Sequence, residues 1–201
     1  MVLAFARTRV LVSRVFAAGI LLLMAFTAPA AAEGSLLDIS MEISGLLLLS
    51  IASAGRLWAL MYISGNKTSE LITVGPYSLV RHPLYLFSLI GAVGLGLASE
   101  SVVILALIVL FYAVYYPFTM LAEEDRLTRI YGDAYRAYMQ RVPRLIPRFA
   151  AYQEPKDFNV KTSTFVRNFG DAMWFIWFFA LLHLIEQLHT WGILPTSWRI
   201  P

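Results

Sequence analysis

Five runs of apolar residues, separated by short polar stretches, dominate the chain. They cover about Val10 to Ala32, Ile43 to Met61, Leu84 to Ala98, Val102 to Leu121 and Ala172 to Leu194. A helix needs about 20 mainly apolar residues to cross a bilayer. Backbone polar groups surrounded by lipid must pair within their own segment, so these runs predict helices and not strands. The third run is short, and is either lengthened by residues near Pro83 or partly re-entrant. The pattern predicts an all-α, polytopic membrane protein of about five transmembrane helices, built as one membrane domain over residues 1–201.

The first run admits two readings. Arg7, Arg9 and Arg14 precede an apolar core from Val15 to Phe26, and Ala30 and Ala32 follow in "APAAAEG". That order is read first as a retained first helix, with a secretory signal segment ending in a small-residue cleavage site as the alternative. Both place Glu33 outside. Basic residues favour cytoplasmic loops. Arg7, Arg9 and Arg14 precede the first helix, and Lys67 and Arg81 lie between the second and third. A long stretch from Ala122 to Asn168 carries Arg126, Arg129, Arg136, Arg141, Arg144, Arg148, Lys156, Lys161 and Arg167. The intervening connectors carry Glu33, Asp38, Glu42 and Glu100. An N-in, C-out arrangement collects every basic cluster on the cytoplasmic side, which suits a bacterial inner membrane.

Composition agrees with this picture. Hydrophobic residues make up 59% of the 201 and charged residues 14%, far from the balance of a soluble domain. No part of the pattern points to nucleic acid. The absence of cysteine excludes disulfides, thiolate metal sites and cysteine nucleophiles. His82, His183 and His189 are too few and too scattered for a zinc site. His183, Glu186 and His189 lie along the fifth run, where they read either as interhelical hydrogen-bonding groups or as functional polar groups. "GAVGLG", residues 91–96, has misplaced glycines and no preceding strand, so it reads as close helix packing through Ala92 and Gly96 and not as a dinucleotide fingerprint.

Two polar stretches ask for chemistry. "GPYSLVRHPLYLF", residues 75–87, sets Arg81 and His82 between Pro76 and Pro83, with Tyr77 and Tyr85 close by. "AEEDRLTRIYGDAYRAYMQRVPRLIPR", residues 122–148, reads as one amphipathic helix leaving the membrane and ended by Pro143 and Pro147. In it Glu124, Thr128, Tyr131, Tyr135 and Tyr138 recur at three- and four-residue steps and share a face. That helix is either an interfacial one with a tyrosine belt or one wall of a site. Glu123 and Glu124 at the end of an apolar run need partners, and Arg81 and Arg56 are the candidates. Arg56 within the second run either snorkels or serves a site.

Taken together, these motifs resemble the membrane methyltransferases that include isoprenylcysteine carboxyl methyltransferase and the phospholipid N-methyltransferases. The resemblance rests on Gly75-Pro76-Tyr77, Arg81-His82-Pro83-Leu84-Tyr85, Glu123-Glu124, Tyr131-Gly132, Tyr135, Tyr138, Val142-Pro143 and Pro147, with "GRLWA" at residues 55–59 upstream. It covers roughly residues 50–148, which would form the methyltransferase-like core between a first segment 1–32 and an additional C-terminal helix in 164–201. It implies S-adenosylmethionine as methyl donor, bound without a Rossmann domain, and a lipid-like or prenylated acceptor.

Methyl transfer from a sulfonium requires two partners held in line, with no metal and no covalent intermediate. Glu123 or Glu124 suits the donor's ammonium, and His82 or a backbone amide near Gly75 suits its carboxylate. Tyr77, Tyr85, Tyr131 and Tyr135, with Pro76 and Pro83 shaping the backbone, complete the expected cofactor site. Arg81, Glu123 and Glu124 are the expected catalytic residues, and Arg56, Arg81 and Tyr138 are expected to contact the acceptor. An isoprenylcysteine-type carboxylate is the expected acceptor and a phospholipid amine the alternative. A nicotinamide-dependent membrane reductase and a non-catalytic membrane protein are readings of another class.

Overall fold

A computed structural model describes the chain except Met1, residues 30–34 and 65–69, Phe158, residues 196–197 and Pro201; the side chains of residues 2–10, 28–29 and 199–200 also lie outside the description. The potential cleavage site at Ala30–Ala32, and Lys67, therefore fall outside it. Five long helices form the body: α1 (Val2–Phe26), α2 (Leu36–Ile63), α4 (Pro83–Ala98), α5 (Val102–Tyr131) and α7 (Thr162–Thr190). Two short ones, α3 (Pro76–Leu79) and α6 (Asp133–Arg141), lie between them. A parallel ribbon, β1 (Thr27–Pro29) with β2 (Trp198–Ile200), ties the end of α1 to the C-terminus, Thr27 facing Trp198.

The helices α2, α5 and α7 are long and apolar enough to cross a membrane; Leu11–Phe26 and Pro83–Ala98 are apolar but shorter. Large side chains such as Leu110, Phe118, Leu47 and Trp177 are largely exposed on the outside of the bundle. That is the surface expected of helices solvated by lipid tails. The chain is an integral membrane protein of all-α class.

Small residues let the helices meet. An added Cβ at Gly94 would lie 2.9 Å from the Gly45 carbonyl oxygen, and one at Gly45 would lie 2.7 Å from the Gly94 carbonyl oxygen. Close backbone approach of this kind is how membrane helices pack without a hydrophobic drive, and it seats α4 tightly on α2. The "GAVGLG" stretch is thus a packing surface, carried by Gly91 against Phe175, Gly94 against α2 and Gly96 against Leu105. Leu49, Ala52 and Phe175 then form the core between α2 and α7, and Ile20, Ile104 and Ile108 join α1 to α5.

Two predicted boundaries differ. Residues 122–148 are not one helix. α5 runs on without interruption through Glu123 and Glu124 to Tyr131, and Gly132, at φ 56°, turns the chain into α6. That left-handed conformation suits glycine and little else, and the Gly132 N–H still closes onto the Thr128 carbonyl. The last helix begins at Thr162, ten residues before Ala172, because the polar segment from Thr162 to Asp171 extends the helix beyond its apolar part. At 1.5 Å per residue, about 20 residues from Val102 fill the hydrocarbon layer and end near Leu121. Glu123 and Glu124 consequently stand just past it, on the face that holds the basic residues.

Candidate active site

The site grows from the joint between α3 and α4. Gly75 takes φ 60° and caps α3, with the Tyr62 ring 2.4 Å from where a Cβ would sit. Pro76 and Pro83 occupy the first positions of α3 and α4, where a missing N–H costs nothing. Between the two helices, Val80 and His82 keep non-helical backbone. Arg81 and His82 are thereby presented from a short fixed link toward α5.

Glu124 receives them. His82 Nε2 lies 3.0 Å from Glu124 Oε1 and Arg81 Nη1 lies 3.5 Å from the same oxygen. Arg144 completes the group with a two-pronged grip, Nε donating to Oε1 at 3.0 Å and Nη2 to Oε2 at 2.7 Å. A carboxylate only accepts, so His82 Nε2 carries the proton in that contact. Paired, fork-shaped guanidinium contacts of this kind are the strong ones. The Arg144 guanidinium is accordingly held above its ordinary value by the bond to Glu124. Two cations converge on one carboxylate, which leaves this knot with surplus positive charge. Arg81 Nε, buried and without a hydrogen-bond partner, points to the same surplus.

Glu123 sits one residue earlier on α5 and faces elsewhere. Its Oε2 accepts a 2.7 Å bond from the Tyr85 hydroxyl. Tyr85 packs edge-on to Tyr116, whose ring stacks on Tyr112 at 4.0 Å, and the Tyr112 hydroxyl donates to the Tyr85 carbonyl. Tyr77 is buried close by, its hydroxyl without a partner. Burial and the nearby Glu123 charge raise the pKa of that hydroxyl well above an ordinary tyrosine's, so it stays protonated and able to donate.

A strap after α6 covers the joint. It runs antiparallel to residues 75–81: Arg81 N–H donates to the Pro143 carbonyl at 2.8 Å, Arg148 N–H to Leu79 at 3.2 Å and Gly75 N–H to Gln153 at 2.7 Å. The Ser78 hydroxyl bonds the Gly75 carbonyl and accepts from the Gln153 N–H. The strap thus fixes the turn that carries Arg81 and delivers Arg144 to Glu124.

The sequence-predicted residues therefore separate. Gly75, Pro76, Tyr77, Arg81, His82, Pro83, Tyr85, Glu123 and Glu124 are brought together. On the tyrosine face, Tyr135 and Tyr138 are buried with Val142 against Leu71, Leu127 and Met139. The Tyr138 hydroxyl holds the Tyr77 carbonyl at 2.6 Å, and Tyr131 reaches the Glu70 carbonyl. Tyr131 and Tyr138 thus brace the joint, while the Tyr135 hydroxyl, buried and without a hydrogen-bond partner, lies within reach of the charges of Glu124, Arg81 and Arg144. Arg56 does not pair with the glutamates; it donates to Ser88 Oγ at 2.6 Å and to the Asp171 carbonyl at 3.0 Å, joining α2 to α4 and α7. Arg144 is the residue that sequence reasoning missed. Its signal was only a position beside Pro143, one arginine among many.

On the opposite face a small cavity of about 60 Å³ is lined by Glu42, Glu100, His183, Glu186 and His189 among others. His183 Nδ1 lies 3.3 Å from Glu186, and His189 Nε2 lies 3.0 Å from the Ala25 carbonyl oxygen. Among the described residues no group of three or more histidine or acidic side chains is arranged to hold a metal ion.

Comparison with known proteins places this geometry. The phospholipid methyltransferase family model matches residues 39–134, which include Arg81, His82, Glu123 and Glu124. The nickel-cobalt-cadmium resistance protein NccN of Alcaligenes xylosoxydans xylosoxydans is 36% identical over 157 residues, 78% of this chain and 73% of that protein. The cobalt-zinc-cadmium resistance protein CzcN of Cupriavidus metallidurans is 38% identical over 150 residues, 75% of this chain and 69% of its own. A shorter match, 34% over 82 residues, covers 41% of this chain and 35% of the protein-S-isoprenylcysteine O-methyltransferase of Schizosaccharomyces pombe. No solved structure matches. The Arg-His joint, the glutamate pair and these matches agree: the chain belongs to the family of integral membrane methyltransferases that contains the phospholipid and isoprenylcysteine enzymes.

Proposed function

We propose that this protein transfers a methyl group from S-adenosylmethionine to a lipid-like acceptor at the cytoplasmic face of the membrane. The observation that carries the reading is the arrangement of two adjacent glutamates with opposite surroundings: Glu124 locked among Arg81, His82 and Arg144, and Glu123 beside tyrosine hydroxyls. The donor, when bound, supplies an activated methyl group on a sulfonium. The residues present fit it. Glu123 offers a carboxylate oxygen to an ammonium, and the buried, unpartnered Arg81 Nε offers a donor to a carboxylate. The Tyr77 hydroxyl adds a second unpartnered donor in the same region. His82 and Glu124 act through Arg81 and hold it in place.

Arg56, Tyr112 and Tyr116 extend the polar path into the membrane, where a lipid-borne acceptor arrives. The reading favours a carboxylate acceptor of the isoprenylcysteine kind, because two guanidinium groups, Arg81 and Arg144, share the one carboxylate of Glu124. A phospholipid amine is the alternative, with Glu123 then taking the proton released by the amine. Two relatives are named for metal resistance; this reading makes metal resistance the setting of the methyl transfer and gives the chain no metal centre.

Calorimetry on the detergent-solubilised full chain tests the proposal, followed by transfer of labelled methyl to a lipid extract. Binding of S-adenosylmethionine and a labelled lipid product are expected. Binding of a nicotinamide cofactor in its place would assign a reductase, and binding of neither would leave a non-catalytic membrane protein.

A further inference from the structure

Among the described residues, nothing covers the outer side of the strap that follows α6 at Ile146 and Phe149. Ile146 is 83% exposed and Phe149 is 76% exposed, although both lie in a segment otherwise tied down by backbone hydrogen bonds. Exposed arginines flank them, Arg141 on one side and Arg148 between them, with the half-exposed Arg144 alongside. Large bare apolar side chains among cations do not suit water.

The depth of the strap identifies its neighbour. Tyr152 packs on Trp58, their rings 6.1 Å apart. Trp58 belongs to the spanning helix α2, five residues before its end at Ile63. Trp58 lies 22 residues after the start of α2 at Leu36, about 33 Å along the helix axis and so just past a hydrocarbon layer of about 30 Å, which sets Tyr152 at the level of the headgroups. Trp and Tyr are the side chains that settle at that level. The α2 anchor sets the strap along the bilayer surface, with Ile146 and Phe149 within reach of the acyl boundary.

We infer that residues 141–152 form a docking surface for anionic phospholipid: Ile146 and Phe149 enter the acyl boundary while Arg141 and Arg148 engage headgroup phosphates and other lipid anions. Insertion of the apolar pair removes their surface from water. Each arginine close to an anionic leaflet adds about a fivefold preference. The docked strap carries Arg144, so the same lipid contact holds the Glu124 knot closed. This inference concerns a surface outside the donor site and stands whether or not methyl transfer is the activity.

The cysteine-free chain allows a direct test. Ile146→Cys and Phe149→Cys, each carrying a fluorophore, are reconstituted in vesicles of phosphatidylcholine and phosphatidylglycerol, with one lipid or the other brominated as quencher. Both sites are exposed, so labelling leaves packing intact. The expected result is strong quenching at both positions, with phosphatidylglycerol preferred over phosphatidylcholine by roughly fivefold or more. In Arg141→Gln/Arg148→Gln the quenching persists and the preference falls toward unity; Arg148 contributes its backbone N–H to the fold, which the substitution retains. Equal quenching by both lipids in the parent would overturn the anionic specificity. Absence of quenching, with the label in water or shielded by a second protein, would overturn the docking surface itself.

Discussion

Glu123 and Glu124 differ by one helical position and by everything around them. Glu124 has both oxygens committed to Arg144, His82 and Arg81, so Glu124→Gln removes the anion from a buried cluster of cations. Arg144 is half-exposed, but Arg81 and His82 are buried with the carboxylate; losing the anion leaves the buried Arg81 charge without its partner, and a fall in thermal midpoint is expected on heating the detergent-solubilised variant. Glu123→Gln keeps an acceptor for the Tyr85 hydroxyl and should fold normally, yet bind S-adenosylmethionine about ten- to a hundredfold more weakly, the loss of one charge-assisted bond of about 1.5–3 kcal/mol. Titration calorimetry separates the two; unchanged affinity in Glu123→Gln would move the ammonium site elsewhere. Arg81→Lys should insert and fold but lose most turnover, since lysine lacks the planar fork, while Arg148→Lys retains it. Across the membrane, Glu100 obeys the opposite electrostatics. Burial first, then a hydrogen bond with Asp38 and the charges of Asp38, Glu186 and Glu42, raise its pKa to about 8. The folded protein therefore holds a proton that the unfolded chain releases above its ordinary value near 4.5. Stability contributed by Glu100 is full below that value and declines as pH rises toward 8. Glu100→Gln should raise the thermal midpoint at pH 8 and change it little at pH 4. Which carboxylate would be gripped by arginine and which would face the tyrosine hydroxyls was not legible in "EED", because the deciding residue, Arg144, comes from a strap with no periodic pattern of its own.

At the scale of elements, apolar length was the most legible property and the turns were the least. The runs at Leu84–Ala98 and Val102–Leu121 are helices in the structure, starting at Pro83 and Val102. Proline at the head of α4 and Ser101 capping α5 mark those starts in the sequence itself. The end of α5 was hidden, because Glu123 to Tyr131 continues a helical period after the apolar run stops, and only the left-handed Gly132 breaks it. Tyrosine spacing showed a common face and could not show that the face turns inward. Glycine placement is similarly double-edged. Gly94 meets the α2 backbone, whereas Gly170 has nothing within 4 Å of an added Cβ. Gly94→Val should therefore separate α4 from α2, dislodging Arg81 and His82, and yield protein that fails to accumulate in the membrane. Gly170→Ala should fold at least as well as the parent, by up to about 1 kcal/mol from helix propensity. Size-exclusion profiles of the two variants after identical extraction decide the point; equal behaviour would mean that the α2–α4 contact is dispensable.

For the whole molecule, the placement of charge is what turns a bundle into an oriented device. The knot at Glu124, the strap and the start of α7 all lie at the end where arginines accumulate. The other end holds Asp38, Glu42, Glu100 and Glu186. Basic loops stay on the cytoplasmic side during insertion, and the strap binds the α3–α4 joint through three backbone bonds and one from the Gln153 N–H to the Ser78 hydroxyl, so these two segments cannot end up on different sides. A single labelling experiment consequently tests orientation for the entire site. Asp133→Cys on α6 and Gln153→Cys on the strap are exposed positions on the basic face, and Thr190→Cys at the end of α7 is exposed on the other. In intact cells, an impermeant maleimide should reach Thr190→Cys and neither of the others; after lysis all three should react. Labelling of Asp133→Cys from outside would invert the molecule and place the site on the wrong side for a cytoplasmic methyl donor. Reaction at Asp133→Cys and Gln153→Cys from opposite sides would break the pairing of the strap with the α3–α4 joint, and with it the geometry on which the roles of Arg81, His82 and Arg144 depend.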